Sequence, residues 1–335
     1  MFVLCTFGVK IAPDVETNIL NIQNRVNNLR GVFALFIILT HCTLAFDTLP
    51  ILLIPFRKVS TFGVGYFFVL SGYGLAYSYT NKENYLRDFY KKIMHILWIA
   101  LISRIVSMIL SVILLNERSS VIEIFTGMNW YIYALIVLYV IFYISYKFMP
   151  KRNTRFLVIC CLTFLMTMVA LYFRLGRSYY ISEMAFPLGI AIYEYKDSIE
   201  RGIDKYNSLV FVFMTVILVV LFYLTLKVDD YTFSDFILHN LMLVPFYFFV
   251  GITCRYMIFD NLVLRFLKKY SFEIYLYQNI VFSYLKSRLP YINVIYFILS
   301  ILLTVVLSWV VNNIYMIIVA YFKEKTKNCK STMKN

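Results

Sequence analysis

Asn28-Leu29-Arg30-Gly31-Val32-Phe33-Ala34-Leu35-Phe36-Ile37-Ile38-Leu39-Thr40-His41 is the stretch on which the reading of this chain turns. An arginine opens an apolar run, and a histidine stands eleven positions further in. At ~100° and ~1.5 Å per residue of α-helix, eleven steps return to within ~20° of the same face, ~16 Å deeper. With Arg30 at a membrane surface, His41 falls about halfway through a ~30 Å hydrocarbon core. An ionisable side chain is costly at that depth, so a functional site is the default reading.

The material around this stretch is of the same kind. Hydrophobic residues make up 61% of the chain and charged residues only 15%, which excludes an ordinary soluble domain. Apolar runs long enough to span recur along nearly all 335 residues, and no segment is left for a separate soluble domain. The pattern predicts an all-α, polytopic integral membrane protein with about ten transmembrane helices, over residues 30–49, 60–79, 93–115, 129–148, 155–173, 179–194, 207–226, 233–253, 270–287 and 293–321. In domain terms this is an N-terminal cytoplasmic segment over 1–28, a transmembrane domain over 29–322 and a basic cytoplasmic tail over 323–335. Ser182, Glu183 and Pro187 interrupt the sixth span, and Glu273, Gln278 and Asn279 should turn the ninth toward the bundle. The last run exceeds one membrane thickness and must tilt or extend beyond it.

The net charge of +14 does not indicate nucleic acid, because the basic residues alternate between loops. About 23 of the 32 fall on one side, about 8 on the other, and Arg104 lies inside a span, so the positive-inside rule puts both termini in the cytoplasm of a multi-pass protein of the cell membrane. Asp229, Asp230 and Asp235 cluster in one short outer loop. The Lys-rich tail after Phe322 reads as disordered. Residues 1–9 are too short an apolar run for a signal peptide, so the first span is expected to do the targeting. The six cysteines show neither metal-ligand nor disulfide spacing, and no cluster suggests a metal site.

Further motifs follow the first. The second span carries Phe62-Gly63-Val64-Gly65-Tyr66-Phe67-Phe68-Val69-Leu70-Ser71-Gly72-Tyr73, and a basic stretch, Phe89-Tyr90-Lys91-Lys92-Ile93-Met94-His95-Ile96-Leu97-Trp98, enters the third. Asn129-Trp130-Tyr131-Ile132, Phe186-Pro187-Leu188-Gly189 and Ser271-Phe272-Glu273-Ile274-Tyr275-Leu276-Tyr277-Gln278 complete the set. This pattern resembles the membrane acyltransferase-3 family from about residue 25 to 322. That family has an arginine, ten residues and a histidine on its first helix, met here by Arg30 and His41. His95 stands where an arginine is usual, Trp98 where a proline is usual, and Gln278 where relatives often have histidine.

The resemblance implies an enzyme that moves an acyl group, usually acetyl from acetyl-CoA, to a carbohydrate hydroxyl, an O-acetylation of the cell envelope. It implies no permanently bound cofactor. Its partners would be acyl-CoA, a carbohydrate acceptor such as a surface polysaccharide or lipid-linked sugar, the lipid bilayer, and other components of a polysaccharide biosynthesis system. An alternative is a non-catalytic component that exports or flips a polysaccharide, although a transporter should show related halves with paired broken helices, and none is visible.

Transfer from a thioester needs a base near the hydroxyl, stabilisation of the carbonyl oxyanion and an anchor for the phosphates of coenzyme A. His41 is the candidate base or acyl carrier, against a histidine that merely bonds neighbouring helices. Arg30 stands where a cytoplasmic phosphate would arrive, against a topology-setting arginine, and Lys91, Lys92 and His95 extend that site or serve topology. Ser71 reads as a nucleophile or, preferably, as a small residue at a helix contact. Glu183, Glu273 and the buried cation Arg104 are candidates to orient His41, bind sugar hydroxyls or simply form a structural ion pair, Gln278 is a candidate to orient or bind substrate, and His239 reads as structural. The second-span glycines allow close helix approach and lack the context of a phosphate loop.

Overall fold

The computed structural model describes residues 9–46, 48–116, 123, 127, 129–289 and 294–332, with side chains omitted for 203–207 and 318–332. The described residues are almost wholly helical: α1 (Ile19–Asn28), α2 (Arg30–Leu44), α3 (Ser60–Asn81), α4 (Phe89–Leu115), α5 (Trp130–Phe148), α6 (Arg152–Tyr172), α7 (Ala185–Glu194), α8 (Lys196–Thr225), α9 (Phe233–Tyr256), α10 (Leu262–Lys269), α11 (Ser271–Arg288) and α12 (Val294–Thr332). A two-residue pair, β1 (Lys10–Ile11) with β2 (Met257–Ile258), runs antiparallel.

Seven of the described helices are long and apolar enough to cross a membrane, and the α1–α2 pair, bent by 46° at Leu29, makes up to eight. The fold is therefore a polytopic helical membrane protein. Two elements keep the count below ten on length and composition. The expected span over 179–194 is helical in its second half only: α7 has ten residues, ~15 Å of rise, half a hydrocarbon core. The residues before it turn irregularly, and buried irregular backbone must find partners inside the protein. Asn240 supplies them, its Nδ2 donating to the Tyr180 carbonyl at 2.7 Å while its Oδ1 accepts the Met184 N–H at 3.3 Å. The other is α11, which is as long as a span but carries Glu273, Gln278 and Asn279. It faces the bundle, with Ile274, Tyr275, Tyr277, Gln278 and Val281 buried.

Burial sorts the helices into an inner set and a lipid-facing set. Most of α2, α3, α7 and α9 is buried, whereas α4, α8 and α12 present continuous apolar outer faces through residues such as Ile113, Val219 and Ile317. In the inner set the backbones nearly touch. A Cβ at Gly72 would overlap the Phe186 carbonyl, and one at Gly189 the Val69 carbonyl, so glycine is required at this α3–α7 crossing.

The described residues toward both ends of the chain form helices. Asn18 caps α1, its Oδ1 accepting the Leu20 N–H at 2.9 Å, and Ile19, Ile22 and Val26 form the buried stripe of the helix. Arg25 then ties α1 to the end of α9 by donating to the carbonyls of Cys254 and Arg255 at 3.2 and 3.1 Å. At the other end α12 continues to Thr332, through the tail expected to be disordered. Lysine and glutamate are good helix formers, and a helix already nucleated propagates at little cost.

Candidate functional site

Two cavities lie toward opposite ends of the inner set, and α2 contributes its first residue to one and His41 to the other. The first, about 410 Å³, is enclosed by α3, α4 and α5 with Phe272 of α11. Arg30 projects into it from the N-terminus of α2. Its guanidinium carbon lies 5.6 Å from the Phe67 ring centroid, and its buried Nε has no hydrogen-bond partner among the described residues. Lys92, Ile96 and Ile99 line the cavity at helical spacing, and the Lys92 ammonium sits 4.7 Å from the Tyr85 ring. Among the described residues two cations and no carboxylate line this space, so its field favours an anion.

The same helical spacing turns Lys91 and His95 outward, since they are one turn apart on another face of α4. Lys91 is exposed and pairs with Asp88 at 2.7 Å, which holds the Asp88 carboxyl below its ordinary range. His95 is exposed. Ser71 does line the cavity, beside the Tyr131 and Tyr139 hydroxyls.

The second cavity, about 240 Å³, contains His41, Thr40, Arg57, Lys58, Trp130, Arg177, Asp230 and Tyr275. The His41 ring is half-buried, 5.9 Å from Phe282, and has neither hydrogen bond nor ion pair to a described residue. Its nitrogens are therefore available to a ligand. Thr40 holds the rim: its hydroxyl donates to the Phe56 carbonyl at 2.8 Å and accepts the Ser60 N–H at 2.9 Å, fixing the 3₁₀ turn Ile51–Arg57 over the cavity.

A charged network forms one wall, and here sequence reasoning stopped short. Arg177 grips Asp235 with two bonds, Nε to Oδ2 at 2.8 Å and Nη2 to Oδ1 at 2.7 Å. Tyr180 donates to the same carboxylate at 2.9 Å, and His239 lies 2.9 Å from it. Asp230 receives Lys58 at 2.9 Å and Arg177 at 3.1 Å. The aspartate cluster was visible in the sequence, but its cations come from two other loops.

Two aromatic rings separate the cavities. Tyr131 faces the first and Tyr275 the second, with centroids 5.3 Å apart. Asn129 locks them: its Oδ1 accepts the Tyr275 hydroxyl at 2.7 Å and, as the N-cap of α5, the Tyr131 N–H at 3.0 Å.

The remaining candidates lie apart from these linings. Glu183 is buried next to Ser182, whose N–H it accepts at 3.0 Å, and its other oxygen has no partner among the described residues. Glu273 accepts from Asn312 at 2.7 Å, a tie to α12. Gln278 donates to the Tyr275 carbonyl at 3.1 Å. Arg104 lines a third, polar cavity between α4 and α11 and donates to the Glu123 carbonyl at 3.0 Å. Among the described residues no group of three or more His, Cys, Asp or Glu could hold a metal ion.

In comparison with known proteins, the acyltransferase-3 family model, described as an acyltransferase domain, matches residues 23–313. No curated protein and no solved structure matches the chain. The family match runs from within α1 into α12 and takes in both cavities and the wall between them, so the chain belongs to the acyltransferase-3 family of membrane acyltransferases.

Proposed function

We propose that the protein moves an acyl group, acetyl in the simplest case, from acyl-CoA to a hydroxyl of a surface polysaccharide or lipid-linked sugar. The observation that carries this reading is the pair of cavities along α2, an anion-attracting one at Arg30 and one where the His41 imidazole has no hydrogen bond to a described residue. In this reading the first cavity takes the donor, with Arg30 and Lys92 against its phosphates. The second takes the acceptor. The orientation follows from the basic loops: both termini are cytoplasmic, the Arg30 cavity opens inward, and α7, extended by the irregular stretch before it, and α11 complete ten crossings.

The chemistry assigned to His41 is general-base catalysis. A neutral ring nitrogen takes the proton of the sugar hydroxyl as its oxygen bonds to the thioester carbonyl carbon. The tetrahedral oxyanion collapses, the carbon–sulfur bond breaks, and the imidazolium returns its proton to the departing thiolate. Tyr131 and Tyr275 stand between donor and acceptor, so their rings must part for the thioester to reach His41.

Purified protein with labelled acetyl-CoA and a glycan acceptor tests the reading. His41→Gln keeps a hydrogen-bonding side chain but cannot take up a proton, and should lose roughly 10²–10⁴-fold in acyl transfer while still binding acetyl-CoA. Near-normal turnover in His41→Gln would return His41 to a structural role. Absence of any acyl transfer by the wild-type protein would favour the export reading.

A further inference from the structure

We infer that the outer cavity recognises its acceptor through a phosphate group, that of a lipid-linked sugar, held by Arg57, Lys58 and Arg177 in place of Asp230. The inference rests on the reading that this cavity is the acceptor site.

The lining carries three cations, Arg57, Lys58 and Arg177, and among the described residues one carboxylate, Asp230. Arg177 is already balanced from behind by Asp235, whose side chain is fully buried. Asp230 therefore answers for Lys58, with a second contact from Arg177 at 3.1 Å, and Arg57 is left exposed without an ion pair or hydrogen bond to any described residue.

The Asp230 contact has the form of an anion seat filled from within the chain. Lys58 is 9% exposed on its side chain and Asp230 47%, so a fixed, buried ammonium meets a carboxylate on its water side. Asp230 belongs to the turn between α8 and α9. The next residue, Tyr231, has φ of 63°, a left-handed conformation costly for a bulky residue, and its N–H is held by the Tyr180 hydroxyl at 2.9 Å. The half-exposed Asp230 carboxylate can turn to water and yield its place to a ligand anion, whereas Asp235, fully buried inside a helix and gripped twice by Arg177, cannot. A phosphate would present more oxygens than one carboxylate and would engage Arg57 as well.

The surface beside the cations indicates what else the acceptor carries. Ile51 and Leu52, in the turn that ends at Arg57, are 83% and 86% exposed, and Leu44 at the end of α2 is 56% exposed. An apolar strip running to a guanidinium with no ion pair among the described residues matches hydrocarbon joined to phosphate. Trp130 and Tyr275 line the cavity together with His41, aromatic side chains of the kind that pack against a sugar ring.

Native mass spectrometry of the full-length protein in detergent, without acyl-CoA, tests this with three probes. They are a short polyprenyl diphosphate bearing one N-acetylhexosamine, an octyl glycoside of the same sugar, and phosphatidylglycerol. The diphosphate probe should bind preferentially. Arg57→Gln should weaken it about tenfold, the scale of one charge-assisted hydrogen bond. Asp230→Asn should strengthen it several-fold, because a competing carboxylate is gone. Equal binding of the octyl glycoside, displacement by equimolar phosphatidylglycerol, or weaker binding in Asp230→Asn would overturn the inference. Because no acyl transfer is read, diphosphate-selective binding by a protein inactive toward acetyl-CoA would support the phosphate seat while refuting the transfer chemistry.

Discussion

Replacement of Arg30 by alanine separates a binding role from a structural one, because this arginine has so little to lose in the folded protein. Its buried Nε has no partner among the described residues, no described carboxylate pairs with it, and it packs on the Phe67 ring at 5.6 Å. Removing it forfeits a cation–π interaction of about 0.5–1 kcal/mol and leaves no orphaned charge behind. Thermal stability in detergent should therefore fall only slightly. Acyl-CoA binding should fall far more, since a charge-assisted bond to phosphate contributes about 1.5–3 kcal/mol, or roughly 10- to 150-fold in Kd. Arg30→Lys keeps the charge without the planar fork and should fall between. Equilibrium binding of radiolabelled acetyl-CoA to purified protein, beside melting curves of the same samples, reads both quantities. Unchanged affinity in a folded Arg30→Ala protein would refute the argument and leave Arg30 as a topology-setting residue.

The opposite balance is expected at Arg177, where alanine leaves the fully buried Asp235 without its cation. Melting in detergent should reveal a loss of about 3–5 kcal/mol, and the double variant Arg177→Met/Asp235→Leu should recover much of it. At the α3–α7 crossing, Gly72→Ala should cost about 1–3 kcal/mol because its methyl meets the Phe186 carbonyl, whereas Gly251→Ala, with open space around its Cβ, should be near neutral in the same assay. Tyr275→Phe removes the bond to Asn129 that locks the wall between the cavities. Stability should fall by about 1 kcal/mol, and acetyl-CoA hydrolysis should rise if that wall restrains water. Reporter fusions after residues 82, 118, 151 and 228 should read inside, outside, inside and outside, and two contrary signals would refute the ten-crossing topology.

Much of this architecture follows from residue order alone, because a bilayer simplifies the physics. With no water in the hydrocarbon, backbone groups must pair within the helix, so length and apolarity identify most spans directly. The same one-dimensional arithmetic puts Arg30 and His41 on one face, and Gly63, Gly65 and Gly72 of the second span mark where helices touch. It fails where pairing is supplied from elsewhere in the chain. The irregular stretch before α7 exists because Asn240, sixty residues away from Tyr180, satisfies its backbone. That Lys92 and not Lys91 enters the Arg30 cavity depends on the rotation of α4, which its neighbours set. The outer network is the clearest case. Asp230 and Asp235 are neighbours in sequence, but Lys58 and Arg177 reach them from loops 172 and 58 residues away. Local sequence carries the cost of placing a charge near the membrane, while the partner that offsets the cost is chosen by how the helices assemble.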